Sequence, residues 1–285
     1  MIAGPILILG ADGLLGFEIR RLLGERGDAH AGRSHAECDI TSADAVARAV
    51  HETEARVVIN CAAYNAVDRA ESEPEKALEV NRNGAVNVAR AAPLAVHYST
   101  DFVFDGKSTR PYVETDEPRP LSAYARSKLA GDVSVRGANP QHYLLRVGNL
   151  YGRAGKGFGS TLLLRLRRGE RIKADAERRV QPTWGRTVAD QTLALVAAGV
   201  PFGLYHLMCH GETTWAEFAR ELALQAGYDA SLVDSVAFAE LHTPADRPRY
   251  AVLENRALAE LGPGWDRMPH WREALSSYLY EEVLL

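Results

Sequence analysis

Tyr124 and Lys128 stand four residues apart in the run Leu121-Ser122-Ala123-Tyr124-Ala125-Arg126-Ser127-Lys128. On a helix that spacing is one turn, so a phenol and an ammonium share a face and reach one bound molecule. A phenol beside a fixed cation is a proton donor whose pKa is expected below its free value of about 10. Such a donor suits a carbonyl that is taking up hydride. The pair alone carries little weight: with 11 Tyr in 285 residues and few Lys, chance supplies roughly 0.2 such pairs. A hydroxyl upstream adds to it. Ser99-Thr100 closes a short apolar run, and open α/β sheets bind ligands at the C-terminal ends of their strands. Thr100 is expected to hydrogen-bond the carbonyl oxygen, Tyr124 to give the proton, and Lys128 to hold a ribose and favour the phenolate.

A nucleotide loop lies further upstream. Gly10-Ala11-Asp12-Gly13-Leu14-Leu15-Gly16 follows an apolar run and opens a helical pattern. Gly10 permits a tight turn, Gly13 lets the backbone approach a pyrophosphate, and Gly16 lets helix and strand pack closely. The phosphates are expected at the helix N-terminus, where free N–H groups favour anions. About 20 residues on, where an acid would bind a ribose 2′-hydroxyl, Arg33 and Ser34 stand instead. They suit a 2′-phosphate, so the expected cofactor is NADPH, with NADH as the alternative. Asp39-Ile40 stands where an acid meets the adenine or, equally, where a turn precedes the helix near Ser42, and the small residues of Cys61-Ala62-Ala63-Tyr64 are placed against the cofactor. Ser99 completes the expected cofactor wall.

The elements that must hold these residues read as alternating strands and helices. Ile6–Leu9, Val57–Ile59, Leu94–Tyr98 and Tyr143–Val147 are short apolar runs of the kind buried in parallel sheets, and a weaker strand is placed near Ala29–Arg33 by spacing. Leu14–Leu23, Ala43–His51, Pro74–Ala92 and Tyr124–Arg136 carry helical spacing. The expected class is α/β: a doubly wound parallel Rossmann sheet over residues 1–150, joined by later sheet elements from about 174–208. A smaller C-terminal α+β substrate lobe is expected from 151–173 and 209–285. Gly152, Gly155, Gly157 and Gly159 mark its first loop, ahead of helices at Leu162–Arg168 and Thr187–Ala198 and a strand at Gly203–Leu207. Thr214 and Glu217 have capping-box spacing before the helix Trp215–Ala226.

Composition narrows the classes. Hydrophobic content of 46% and charged content of 25% are those of an ordinary soluble globular protein, and a net charge of −4 gives no reason to expect nucleic acid. Cys38, Cys61 and Cys209 form no CxxC pattern and read as reduced thiols. The stretch from Met1 to Gly10 has no basic region and is too short to span a membrane, so no membrane is expected and a cytoplasmic location is. His206, Cys209 and His210 lack a fourth ligand, so no metal is expected. Arg165, Arg167, Arg168 and Arg171 either meet a diphosphate or form a solvated helix face.

Taken together, the motifs resemble the extended short-chain dehydrogenase/reductases, and more narrowly the dTDP-4-dehydrorhamnose reductase family. The resemblance rests on Gly10–Gly16, Asn60–Glu71, Ser99–Gly106, Tyr124–Lys128, Gln181-Pro182-Thr183, and Gly203–His206 leading into Glu212–Trp215. It implies NAD(P)H-dependent reduction of the C4 ketone of a dTDP-4-keto-6-deoxy sugar. Thr100, Tyr124 and Lys128 match its catalytic residues, and Val67, Thr100, Asp101, Phe102, Tyr124 and Asn149 fall in its substrate-contacting segments. Related sugar-nucleotide dehydratases carry an acidic pair after the Ser/Thr. Here Phe102 follows Asp101, which favours a reductase. Asn65, the residues before Gln181, Asp132 and Ala125 depart from the family's usual choices. Two other activities fit the same motifs: reduction of another nucleotide-linked deoxysugar, and a regulatory NADP-binding subunit resembling the methionine adenosyltransferase β-subunit. A homodimer is the expected assembly.

Overall fold

The centre of the molecule is built from runs only four to seven residues long that are apolar on both faces. In the first strand, β1 (Ile6–Leu9), every side chain is fully buried, Ile6 and Ile8 on one side of the sheet and Leu7 and Leu9 on the other. That alternation is the two-residue period of a strand, and each such side chain contributes roughly 1.5–3 kcal/mol when removed from water. The molecule is a computed structural model in which residues 2, 4–154 and 158–282 are described. Gly155 and Gly157 therefore lie outside the described residues.

Helix α1 (Leu14–Arg26) leads to β2 (His30–Arg33), and α2 (Ala43–Glu52) leads to β3 (Val57–Asn60). Then follow α3 (Pro74–Leu78), α4 (Ala85–Ala91), β4 (Leu94–Thr100), α5 (Ala123–Ala138) and β5 (His142–Val147). The later elements are β6 (Leu150–Tyr151), α6 (Phe158–Arg167), β7 (Ile172–Asp175), β8 (Thr183–Trp184), α7 (Gly185–Ala198) and β9 (Gly203–His206). The chain ends with α8 (Trp215–Gln225), β10 (Val233–Val236), α9 (Arg256–Glu260) and α10 (Trp271–Glu282).

Six parallel strands form the main sheet in the order β2-β1-β3-β4-β5-β9. The order reverses between β1 and β3, and the crevice at such a switch point is where ligands bind. Strand β2 is half-buried because it is an edge strand, which is why its sequence is so weakly apolar. One face of the sheet packs on α1 and α7, the other on α2, α4 and α5.

Two local expectations meet a different arrangement. Pro74–Ala92 is not one regular helix: a π-helical stretch, Glu79–Gly84, joins α3 to α4. Within it the Asn81 amide bonds the Tyr64 backbone at both N–H and C=O and the Ser127 hydroxyl, so a side chain holds the wider turn in place. Between residues 174 and 208, only β9 joins the main sheet. β7 instead pairs with β10, a strand the sequence did not reveal, and β8 pairs with β6 in a two-residue ladder. Among the described residues no helix is long and apolar enough to cross a membrane.

Candidate active site

Helix α5 delivers the Tyr–Lys pair. The Ser122 hydroxyl accepts from Ala125 N–H, and the Glu71 carboxylate accepts from Ala123 N–H at 2.7 Å, so two of the four unpaired donors at the helix start are met by side chains. Tyr124, Lys128 and Asp132 then follow at one-turn intervals, all facing inward and buried. Lys128 Nζ donates to the Tyr98 carbonyl at 2.5 Å. Burial pushes its ammonium down to about 8, partly opposed by Asp132. Asp132 itself accepts from the Ser99 hydroxyl at 2.7 Å and faces Arg146 of β5 at 3.8 Å. The phenol departs from expectation. Burial raises the Tyr124 pKa, the Asp101 and Asp132 carboxylates add to this, and only the Thr100 hydroxyl works the other way. Lys128 gives one of its three donors to the strand carbonyl, and desolvation is the largest influence on the phenol.

Strand β4 delivers the hydroxyls. Thr100 closes the strand, accepts from Phe102 N–H at 3.2 Å and donates to Asp101 Oδ1 at 3.0 Å. Asp101 is 1% exposed, and burial brings its carboxyl up to about 7. Its other oxygen accepts from Asn149 Nδ2 at 3.0 Å. Asn149 holds φ at +52°, a left-handed conformation that Asn tolerates better than most residues.

These side chains meet in one cavity of about 500 Å³ at the strand tips. Thr100, Asp101, Phe102, Tyr124, Lys128 and Asn149 form its reactive side. Ser99, Val67, Leu14, Leu15 and Cys61–Ala63 line the remainder. The groove continues through Cys61–Ala63 into a second cavity of about 610 Å³, lined by Gly10, Asp12, Gly13, Ser34, Asp39 and Ile40. The glycine loop fits a dinucleotide. Gly10 lies at φ +73°, where a Cβ would stand 2.6 Å from the Ala62 nitrogen, and at Gly16 a Cβ would strike the Gly10 carbonyl. Gly16 thus shapes the loop from behind.

Four expected cofactor residues have partners within the protein. Arg33 ends β2, but its guanidinium donates to the Gly32 carbonyl and faces Glu52 at 3.9 Å. The Tyr64 phenol donates to Glu73. The Ser34 hydroxyl donates to Glu37, and Asp39 accepts from both the N–H and the hydroxyl of Thr41. The Cys61 thiol is raised by burial and stays protonated.

A third cavity of about 270 Å³ shares Phe102 and Asn149 with the first and adds Lys173, Arg178, Trp215 and Arg247. Arg178 is held by Asp175 at 2.5 Å and Arg247 by Asp68 at 2.8 Å, so both guanidiniums are fixed at the cavity wall. Sequence reasoning names none of Lys173, Arg178 and Arg247 as a site residue, and it sets Trp215 aside as core. Arginine is frequent throughout the chain, and no spacing marks these two out. His206 bonds the Glu254 carbonyl and His210 pairs with Asp266, which accounts for two of the three metal-like side chains.

A switch-point crevice with a glycine loop on one side and a Thr–Tyr–Lys set on the other defines an NAD(P)-dependent reductase of the Rossmann type. Comparison with known proteins narrows the class. The family model for the RmlD substrate binding domain matches residues 4–283. The dTDP-4-dehydrorhamnose reductase of Streptomyces griseus is 37% identical over 279 residues, covering 95% of this chain and 91% of that protein. A probable low-salt glycan biosynthesis reductase of Haloferax volcanii is 37% identical over 276 residues, covering 90% and 91%. The crystal structure of dTDP-4-dehydrorhamnose reductase from Bacillus anthracis in complex with NADP has a TM-score of 0.93 at 30% identity, covering 98% of this chain and 99% of that one. The chain belongs to the dTDP-4-dehydrorhamnose reductase family.

Proposed function

We propose that this protein reduces the C4 ketone of a dTDP-4-keto-6-deoxyhexose with NADPH, as in the conversion of dTDP-4-dehydrorhamnose to dTDP-L-rhamnose. One observation carries the reading: Thr100, Tyr124 and Lys128 line a single cavity at the strand tips, continuous with the glycine-loop groove. When bound, the reduced nicotinamide supplies hydride to the ketone carbon. Tyr124 gives its proton to the oxygen as charge develops there. Because burial keeps the phenol protonated at neutral pH, the donor is always loaded. Lys128 would hold the nicotinamide ribose, and Cys61–Ala63 and Leu14–Leu15 would flank the cofactor. Phe102, edge-on to the Tyr124 ring at 6.3 Å, puts an apolar group where elimination of water would need a second carboxylate.

The third cavity supports a nucleotide-linked rather than a free sugar. Lys173, Arg178 and Arg247 would meet the diphosphate, and Trp215 offers a flat face for a base. The test is loss of nicotinamide absorbance when purified protein, NADPH and dTDP-4-keto-6-deoxyhexose are combined, run beside UDP- and GDP-linked keto sugars and NADH. Turnover fastest with the dTDP sugar supports the reading. Tight NADPH binding with no turnover of any keto sugar replaces it with a regulatory subunit.

A further inference from the structure

Thr100 carries one hydroxyl proton, and in this structure that proton is already committed. Its Oγ1 donates to Asp101 Oδ1 at 3.0 Å and accepts from Phe102 N–H at 3.2 Å. An oxygen so occupied has no proton to offer a ketone in the cavity. The acceptor is a built feature. The Asp101 carboxyl is 1% exposed, is held from its other side by Asn149, and lies so close over Gly148 that a Cβ there would strike it. Asn149 adopts its left-handed backbone in the same place.

We propose that Asp101 is a positioning residue that sets which way Thr100 offers its proton. With the carboxylate ionised, the hydroxyl turns away from the cavity. With the carboxyl protonated, Asp101 donates to Thr100 Oγ1, and Thr100 donates to the ketone oxygen. The inference rests on the reductase reading. No net proton passes through Asp101: hydride goes to the ketone carbon, the Tyr124 proton goes to the oxygen, the phenolate takes a replacement proton from solvent, and the Asp101 carboxyl keeps its proton and its bond to Thr100 throughout.

Burial places the Asp101 midpoint at about 7, so the proton can come and go in the physiological range. The groups that bear on it are the Tyr124 phenol from α5, the Thr100 hydroxyl from β4, the Asn149 amide after β5, and the Arg178 guanidinium from the loop after β7. Lys128 lies in the same cavity, with its own midpoint at about 8.

Asp101→Asn separates the two titrations, because an amide can donate to Thr100 at every pH. In the wild type, kcat/KM is expected to decrease about 20-fold from about pH 6 to about pH 8, about tenfold of it from Asp101 and about twofold from Lys128. In D101N the decrease shrinks to about twofold, and Thr100→Val flattens the profile in the same way. A D101N profile that keeps the full 20-fold decrease overturns the proposal. A second readout needs no turnover: carbon-13-labelled aspartate, with the Asp101 carboxyl assigned by its absence in D101N. Losing the hydroxyl donor in T100V should move that carboxyl's midpoint upward by about one pH unit, the worth of one hydrogen bond. An unmoved midpoint overturns the proposal even if the variants fold poorly or are inactive. Failure of the wild type to reduce any keto sugar, with the midpoint moved as expected, counts against the reductase reading alone.

Discussion

Replacing Lys128 with methionine should make the protein more stable at neutral pH while stopping its chemistry. The ammonium is 3% exposed, and its pKa stands at about 8 against the usual lysine value of 10.5. A base with a lowered folded pKa contributes stability that is fully present above the unfolded value and is lost as pH falls through the folded one. At about pH 7 the gap therefore corresponds to a cost of about 3 kcal/mol for keeping the side chain charged and buried. Methionine fills a similar volume without charge, but forfeits the bond to the Tyr98 carbonyl, worth about 2 kcal/mol for a charged donor. The net expectation is K128M more stable by about 1 kcal/mol at about pH 7. Near pH 10 the ionisation cost drops to about 1 kcal/mol, so the wild type should become the more stable by about 1 kcal/mol, a swing of about 2 kcal/mol. Urea unfolding of both proteins at the two pH values measures this directly. A difference in stability that is the same at both would refute the claim that Lys128 is held charged at a cost. Turnover should decrease by about 10²–10⁴-fold, the usual worth of a positioned acid–base group.

Tyr124→Phe should lower kcat by about 10³-fold and leave the NADPH Kd within about twofold, because it removes the proton but little surface; near-normal turnover would end the proposed role. Gly16→Ala places a methyl against the Gly10 carbonyl and should cost about 2 kcal/mol in unfolding free energy, with weaker NADPH binding by fluorescence titration. Unchanged binding would mean that the loop does not need that close approach. Arg178→Met should raise KM for the dTDP sugar about tenfold with kcat little altered, and an effect on kcat alone would place Arg178 in the chemistry instead.

The parts of the fold visible in the sequence are those whose residues follow a local period. The apolar runs at Ile6–Leu9 and Leu94–Thr100 are strands because both of their faces are buried, and the Thr214–Glu217 capping box forms as its spacing predicts. What the sequence hides depends on distant partners. Val233–Val236 becomes a strand only because Ile172–Asp175 lies alongside it, and the π turn at Glu79–Gly84 is held by Asn81 reaching Tyr64, 17 residues away. The candidate site divides similarly. Thr100, Tyr124 and Lys128 are marked by type and spacing, whereas Arg178 and Arg247 are positioned by Asp175 and Asp68 and look in sequence like any other arginine. Arg33 has a place after β2 that suits a 2′-phosphate, and its guanidinium bonds a local carbonyl and faces Glu52.

The phenol is where sequence and structure disagree most usefully. Adjacency to a lysine predicts a lowered Tyr124 pKa, which would bring the proton donor nearer the operating pH. Burial raises it instead, and the two carboxylates nearby, Asp101 and Asp132, push the same way. A tyrosine that holds its proton firmly is a poor base but a donor that is always loaded, and an alkoxide formed by hydride addition is basic enough to take that proton. The same burial draws Lys128 toward neutrality and Asp101 toward its acid form, so desolvation moves all three groups to the uncharged state. A cavity that disfavours charge in its own side chains leaves the developing oxyanion as the species that most needs a hydrogen bond. Tyr124, and Thr100 once Asp101 carries its proton, are the hydroxyls of this cavity that would give one.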